Sequence, residues 1–226
     1  MATRHVLADL TALAVSAGLP EVTVESVGGV DAVQRVAAGE SFDLVVLADG
    51  ALAKLADAGH VDAATVTPLV LSQVAVAVRS DASDPAARPD GPAFAVESGV
   101  REALRAANRI GYSTGPSGTA LVKMIDDWGL TSELGDRLVQ AKPGVPVARS
   151  LADGDVDLGF QQLSELVGQP GVRILGVMPD GCAIDTVFAG AVATASSQPT
   201  RAAEVLAFFA SDDAARTKAA HAFTAL

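Results

Sequence analysis

The sequence contains few of the residues on which several classes of site depend. Its 226 residues include one cysteine, three histidines, one tryptophan and one tyrosine, and aromatic residues make up 4% of the chain. With Cys182 alone, an intramolecular disulfide is impossible and a cysteine-based metal site has no support. The histidines are scattered, without the spacing of metal ligands. We therefore predict neither a metal nor a cofactor.

Positive charge is also scarce. Four lysines and twelve arginines face 27 acidic residues, which gives a net charge of −11. No Lys/Arg cluster provides the electrostatic attraction on which nucleic-acid binding depends, so we exclude a nucleic-acid partner. A small anionic ligand is not excluded, because a pocket can bind it through backbone N–H groups and one arginine on an acidic protein.

Long hydrophobic runs are missing as well. No stretch reaches eighteen apolar residues, so the sequence predicts no membrane insertion. The first eighteen residues do not form a secretory signal, because Asp9 interrupts the apolar run and no small-residue cleavage site follows. With half of its residues apolar and 19% charged, the chain has the composition of a globular α/β protein.

The first third of the chain alternates between helical and strand patterns. Residues 3–17 form a predicted helix, "EVTVESV" a strand, "DAVQRVAAGE" a helix, "FDLVVLA" a buried parallel strand and "DGALAKLADAGH" a helix. This alternation predicts a parallel sheet with helices on both faces. The stretch "TPLVLSQVAVAVRS" then predicts a long strand that reaches Arg79.

The remaining chain predicts a second α/β unit. "DASDPAARPDGPA" has the composition of a loop. The elements predicted after it are a helix over 98–108, a strand in "RIGYST", helices in "SGTALVKMIDDWGL", "TSELGDRLVQA" and "GVPVARSLADGD", strands in "VDLGFQQ", "VRILGVM" and "DTVFAGAVAT", and two terminal helices. Because the last elements cannot form a domain alone, we predict two lobes, one of residues 1–78 plus 187–226 and the other of residues 79–186.

The stretch "GYSTGPSG", from Gly111 to Gly118, lies where a predicted strand is followed by a helix. A helix N-terminus presents unpaired N–H groups and a dipole that favours an anion. Ser113, Thr114 or Ser117 could donate a hydroxyl, and Gly118 would let the backbone approach a ligand closely. The alternative is an ordinary capped turn that binds nothing. The same two interpretations apply to "SVGGVD", which contains Gly28, Gly29 and Val30.

Three further residues are candidate ligand contacts. Arg79, at the end of the long strand, could pair with a carboxylate, although an exposed arginine with no ligand is the simpler interpretation. Gln161 follows a buried strand, where ligands collect in open α/β sheets. Tyr112 directly precedes the serine-rich loop and could donate its hydroxyl or pack in the core. No catalytic triad order, nucleophile elbow or phosphate-loop lysine occurs, so no catalytic residue is predicted.

Four segments together resemble the type II periplasmic binding proteins, with the molybdate-binding (ModA-like) substrate-binding proteins of ABC transporters as the nearest branch. These segments are "SVGGVDAVQRVAAGESFDLVVLADGALAKLADAGHV", "IGYSTGPSGTALVKMIDDWGL", "ARSLADGDVDLGFQQLSEL" and "VFAGAVATASSQPTRAAEVLAFFASDDA". The resemblance covers nearly the whole chain and keeps the family's order. It implies a two-lobe α/β fold, with sheets rich in parallel strands flanked by helices and a ligand held between the lobes.

The resemblance also implies a role. It suggests a monomeric solute-binding protein that supplies a small anion to an ABC permease. Molybdate binders usually carry a serine where this chain has Gly28, Gly29 and Val30, and typically a tyrosine at Gln161. We therefore expect an organic carboxylate rather than molybdate.

Two other functions share this fold. Some molybdate-binder-like proteins isomerise tricarboxylic acids such as aconitate, and that chemistry needs a base, for which Tyr112, Asp31 and His5 are the candidates. An effector domain of the LysR type is the weaker alternative, since no helix-turn-helix precedes residue 1. The family resemblance suggests a periplasmic protein if a signal peptide and an N-terminal strand have been removed. A true start at Met1 would suggest a cytoplasmic one.

Overall fold

A computed structural model of the chain describes residues 2–83, 91–142 and 144–226. The chain divides into two compact units, one of Met1–Ser72 with Thr186–Leu226 and the other of Gln73–Asp185. The described helices are α1 (Arg4–Ser16), α2 (Gly29–Ala37), α3 (Asp49–Asp57), α4 (Glu97–Ala106), α5 (Pro116–Asp127), α6 (Thr131–Leu134), α7 (Val147–Ala152), α8 (Leu163–Leu166), α9 (Pro199–Ala210) and α10 (Ala215–Ala220). The described strands are β1 (Leu44–Ala48), β2 (Thr67–Arg79), β3 (Ile110–Tyr112), β4 (Leu138–Gln140), β5 (Leu158–Gln162), β6 (Val172–Val177), β7 (Asp185–Val192) and β8 (Thr224–Ala225).

The first unit is a sheet with helices on both faces. Strands β1, β7 and β2 lie in this order, and β8 pairs with β2. One face packs Leu69 and Phe188 against α1 and α9. The other face packs Val45 and Leu47 against α2 and α3. Side chains that alternate along β1 therefore supply both cores, as expected of a strand with two covered faces.

Two strand predictions for this unit need correction. The segment "EVTVESV" forms neither helix nor strand, and Val24 is 37% exposed. A strand exists only where its backbone pairs with another, and no pairing is described for this segment. The segment "FDLVVLA" does form a buried strand, β1, but it pairs with β7 in the antiparallel direction, with Val46 opposite Gly190.

The second unit is built around a mixed sheet. Strand β2 pairs in the antiparallel direction with β5 and β6, whereas β3 pairs in the parallel direction with β4 and β5. One face of this sheet is covered by α4 and α5, and the other by α7 and α8. Because β3, β4 and β5 run in the same direction, their carboxyl ends meet at one edge of the sheet.

One helix prediction for the second unit is wrong. The segment "TSELGDRLVQA" forms the one-turn helix α6, a 3-10 turn at Gly135–Arg137 and the strand β4. Its last apolar residues pair with β3, with Leu138 opposite Ile110. Tertiary pairing therefore overrides the local helical pattern. In the predicted loop "DASDPAARPDGPA", residues 84–90 lie outside the described residues.

A buried lysine stands out in the core of the first unit. Lys218 on α10 is 0% exposed, and its Nζ has no hydrogen-bond partner among the described residues. Burial lowers the pKa of this amine, and the nearby Asp212 carboxylate opposes that shift. An unpaired polar group in an apolar core costs roughly 1–3 kcal/mol of folding free energy.

We predict that Lys218→Met stabilises the protein by about 1–3 kcal/mol at pH 7. The unfolded chain binds more protons than the folded one between the lowered pKa and about 10.4, so wild-type stability rises with pH over that range. The advantage of the variant should therefore shrink at pH 9.5. Urea unfolding at both pH values measures this, with the exposed Lys54→Met on α3 as control. An unchanged or lower stability at pH 7 would contradict the prediction.

Candidate functional site

The serine loop, residues 113–117 between β3 and the first turn of α5, has the geometry of a helix N-terminus open to a ligand. Helix α5 has twelve residues and begins at Pro116, whose missing N–H would have had no helical partner. Gly115 precedes the helix with extended backbone and, as a glycine, supplies no side-chain cap. Neither the cap residue nor an acidic residue in the first turn offsets the N-terminal dipole of α5.

Two serine hydroxyls meet in this loop. The Oγ atoms of Ser113 and Ser117 lie 2.9 Å apart, and Ser117 is 4% exposed. One of the two hydroxyls donates to the other, which leaves one hydroxyl hydrogen for a further acceptor. Thr114, between them, is exposed. Of the sequence-predicted residues, the structure brings together Ser113, Ser117 and Gly118.

Gly118 lets the helix approach the loop closely. A Cβ atom at this position would lie 1.8 Å from the carbonyl oxygen of Ser113, which is backbone and cannot move aside alone. The close approach explains the glycine without any ligand. It also fixes the relative positions of Ser113 and Ser117, so the hydroxyl pair depends on it.

We predict that Gly118→Ala destabilises the protein by about 1–3 kcal/mol, the usual cost of overpacking. The gain in helix propensity from alanine, about 1 kcal/mol, acts in the opposite direction and is smaller than the cost of the clash. Gly115→Ala in the same loop is the matched control, since its Cβ would meet only Ser113 Oγ at 3.8 Å. Thermal unfolding of both variants tests this, and equal stabilities would contradict it.

Gln161 lies at the same edge of the sheet but is bonded within the protein. Its preceding residue, Phe160, stands opposite Tyr112. The side chain is 3% exposed, and its Oε1 accepts hydrogen bonds from the backbone N–H of Val147 at 2.8 Å and of Ala148 at 3.4 Å. The side chain therefore holds the N-terminus of α7, and its predicted contact with a ligand stays a prediction.

Glu165 is a titratable residue at this edge that the sequence analysis did not single out. It lies in α8, which directly follows β5, and its carboxylate hydrogen-bonds the side chain of Gln161. Burial raises the pKa of Glu165, and the bond from Gln161 partly offsets that shift. The signal in the sequence was an acidic residue three positions beyond a buried strand.

The structure does not bring Arg79 to the serine loop. Arg79 ends β2 next to the amino end of β5, since Val78 stands opposite Leu158. Its Nε donates to Asp81 Oδ1 at 2.5 Å, and both side chains are at least half exposed. Tyr112, in contrast, is the last residue of β3 and packs partly buried against the core of this unit.

The remaining predicted contacts belong to the first unit. Gly28 and Gly29 begin α2, and a Cβ atom at either would meet nothing within 4 Å. Val30 in the first turn is 74% exposed, which is unusual for a valine. Asp31 and His5, two of the three candidate bases, are exposed on α2 and α1.

Among residues 2–83, 91–142 and 144–226, no group of three His, Cys, Asp or Glu side chains could hold a metal ion. No helix in the same part of the chain is long and apolar enough to span a bilayer.

Residues 2–224 match the family described as bacterial extracellular solute-binding protein. An aconitate isomerase from Pseudomonas sp. is 34% identical over 186 residues, which cover 80% of this chain and 67% of that protein. Two solved structures each superpose with a TM-score of 0.76. They are the substrate-binding domain of a molybdenum ABC transporter from Clostridium difficile, at 16% identity over 100% of this chain and 95% of that one, and the periplasmic molybdate-binding protein of Azotobacter vinelandii, at 18% over 98% and 95%. At these identities, the superpositions confirm the predicted two-lobe periplasmic-binding-protein fold and do not identify the ligand.

Proposed function

Since this chain belongs to the family of bacterial extracellular solute-binding proteins, we propose that it captures a small anion and delivers it to an ABC permease. The observation that carries the proposal is the paired hydroxyls of Ser113 and Ser117 at the uncapped N-terminus of α5. A neutral donor pair and a helix dipole can bind an anion without any cationic surface.

The free energies of the interactions at this loop are large enough for micromolar binding of an anion. The helix dipole contributes about 0.3–1 kcal/mol when exposed and up to ~2 when partly buried. Each charge-assisted hydrogen bond adds roughly 1.5–3 kcal/mol. Three or four such bonds with the dipole amount to micromolar affinity, which corresponds to about −8 kcal/mol.

We propose an organic carboxylate as the ligand rather than a tetrahedral oxyanion. Gly28, Gly29 and Val30 replace the serine expected of a molybdate binder, and Gln161 replaces the tyrosine. The Oε1 of Gln161 is bonded to α7, and its side chain is also bonded to Glu165, so the amide group is engaged within the protein. Contact of the turn at Gly28, Gly29 and Val30 with the ligand stays a prediction.

A thermal-shift screen tests this proposal. The probes are molybdate, tungstate, sulfate, phosphate, citrate, both aconitate isomers and aromatic acids. At a hundredfold excess over Kd, a bound probe stabilises the protein by about 2.7 kcal/mol, and for a chain of this size the Tm rises by roughly 5–10 °C.

Ser113→Ala and Ser117→Ala should each weaken the binding probe by about tenfold to a hundredfold, because each removes a hydroxyl of the pair. Ser98→Ala, at an exposed position on α4, is the control and should bind as wild type does. If both serine variants bind the probe as tightly as the wild type does, the loop is not the binding site.

The second candidate function is isomerisation of a small polycarboxylic acid, and the 34% identity to an aconitate isomerase favours it. Of the three candidate bases, Tyr112 directly precedes the serine loop in the chain. If this function holds, the protein converts trans-aconitate to cis-aconitate, as proton NMR of the vinyl hydrogens would show. Tyr112→Phe should then slow conversion by about a hundredfold, typical of a lost acid–base group. Tight aconitate binding without conversion would exclude the isomerase.

A further inference from the structure

We infer that Lys142 supplies the positive charge that selects an anion at the serine loop, an inference that rests on the proposed function. Most of the described cationic side chains of the second unit already have partners within the protein. In its described part, the following are bonded to protein groups: Arg79 to Asp81, Arg101 to Glu97, Arg105 to Glu133, Lys123 to Asp127, Arg149 to Asp153, and Arg137 and Arg173 to backbone carbonyls.

Two cations of this unit, Arg109 and Lys142, have no partner described in residues 73–83, 91–142 and 144–185. Arg109 immediately precedes β3, so it lies at the amino end of that strand. Ser113 follows the carboxyl end of the same strand. Arg109 is therefore at the opposite edge of the sheet from the serine loop.

Lys142 lies at the same edge as the loop. Strand β4 runs parallel to β3, and its last residue, Gln140, stands opposite Tyr112. The backbone N–H of Ala141 still donates to the carbonyl of Tyr112 at 2.8 Å. Thr114 lies two residues beyond Tyr112, and Lys142 lies two residues beyond Gln140, the partner of Tyr112. Both residues are therefore at the point where their segments leave the sheet.

The spacing allows Lys142 to reach a ligand at the loop. Neighbouring strands lie about 4.8 Å apart. The flexible four-carbon stem of a lysine extends further than one such spacing, and its ammonium carries three donors. Lys142 is exposed, so its side chain can turn toward a ligand without breaking a bond described in the structure.

The chemistry explains why one lysine matters here. The chain carries a net charge of −11, so it provides no general attraction for an anion. The hydroxyls and the helix N-terminus donate hydrogen bonds but carry no net charge. An ammonium is a point charge that does not require a planar bidentate acceptor, so it selects for ligand charge more than for ligand shape.

The test measures Kd by calorimetry for the probe that gives the largest thermal shift, comparing Lys142→Gln with wild type. We expect Lys142→Gln to weaken binding by about tenfold or more, Lys142→Arg to retain most of the affinity, and Lys123→Gln, with the same change of charge on α5, to stay within twofold. Added NaCl should weaken wild type more steeply than Lys142→Gln.

The outcomes separate this inference from the proposed function. If Ser117→Ala loses binding while Lys142→Gln stays within twofold of wild type, the role of Lys142 is refuted and the loop site stands. If the two lysine variants lose affinity equally, the effect is one of net charge and the inference is also refuted. If wild type binds none of the probes, both proposals fail. Unchanged unfolding curves for Lys142→Gln confirm that its fold is intact.

Discussion

The parallel pairing of β3 with both β4 and β5 is the constraint on which the second unit's proposed binding site depends. It places the residues after three strands side by side, although they are far apart in the sequence. Two glycines make the arrangement possible. A Cβ atom at Gly111 would lie 2.9 Å from Val147, and one at Gly159 would lie 2.7 Å from Leu151, so α7 packs on the strands only because both side chains are missing. Gln161 then caps the helix that this close packing brings near.

The acidic composition of the chain and the proposed anion site are compatible because charge acts at different ranges. At 0.1 M salt, interactions between exposed charges are screened beyond about 10 Å. The distributed carboxylates therefore act weakly at the loop, whereas the dipole of α5 acts within its first turn. The hydroxyls of Ser113 and Ser117 lie 2.9 Å apart, and the one hydrogen that their mutual bond leaves over is a donor whose position is set before a ligand arrives. Binding then costs less conformational entropy than it would with a flexible loop.

The sequence was informative where structure is local. The long strand β2, the helix α5 and the serine loop between β3 and α5 follow from apolar spacing and from glycine and proline, and all three occur where they were predicted. It was misleading where pairing is between distant segments. The residues "LVQ" belong to β4 because β3 offers an edge, and "EVTVESV" alternates like a strand but has no described partner.

For the site residues too, the sequence predicted local features and missed those that depend on contacts between distant segments. Gln161 was predicted to follow a buried strand but lies within β5, next to its last residue. Its bonds to α7 gave no signal in the sequence, because that helix approaches through contacts between distant segments. Arg79 was placed at a strand end without knowledge of which sheet edge that end occupies. Lys142 gave no signal in the sequence, since only the register of β4 against β3 brings it beside the loop.

Transport and isomerisation make different demands on this edge. Both need an anion to be bound, which requires donors and charge. Isomerisation also needs a group that exchanges a proton near neutral pH. Burial raises the pKa of Glu165, the direction that such chemistry needs in a carboxyl group, and this residue is joined to the edge through Gln161. Its bond to Gln161 also gives it a purely structural explanation, because a buried carboxylate requires a donor. The proposed site therefore meets the demand for binding through the hydroxyls of Ser113 and Ser117, the N-terminus of α5 and Lys142, whereas its titratable groups, Tyr112 and Glu165, have structural contacts of their own. That asymmetry is the physical reason for placing capture of an anion ahead of its chemical conversion.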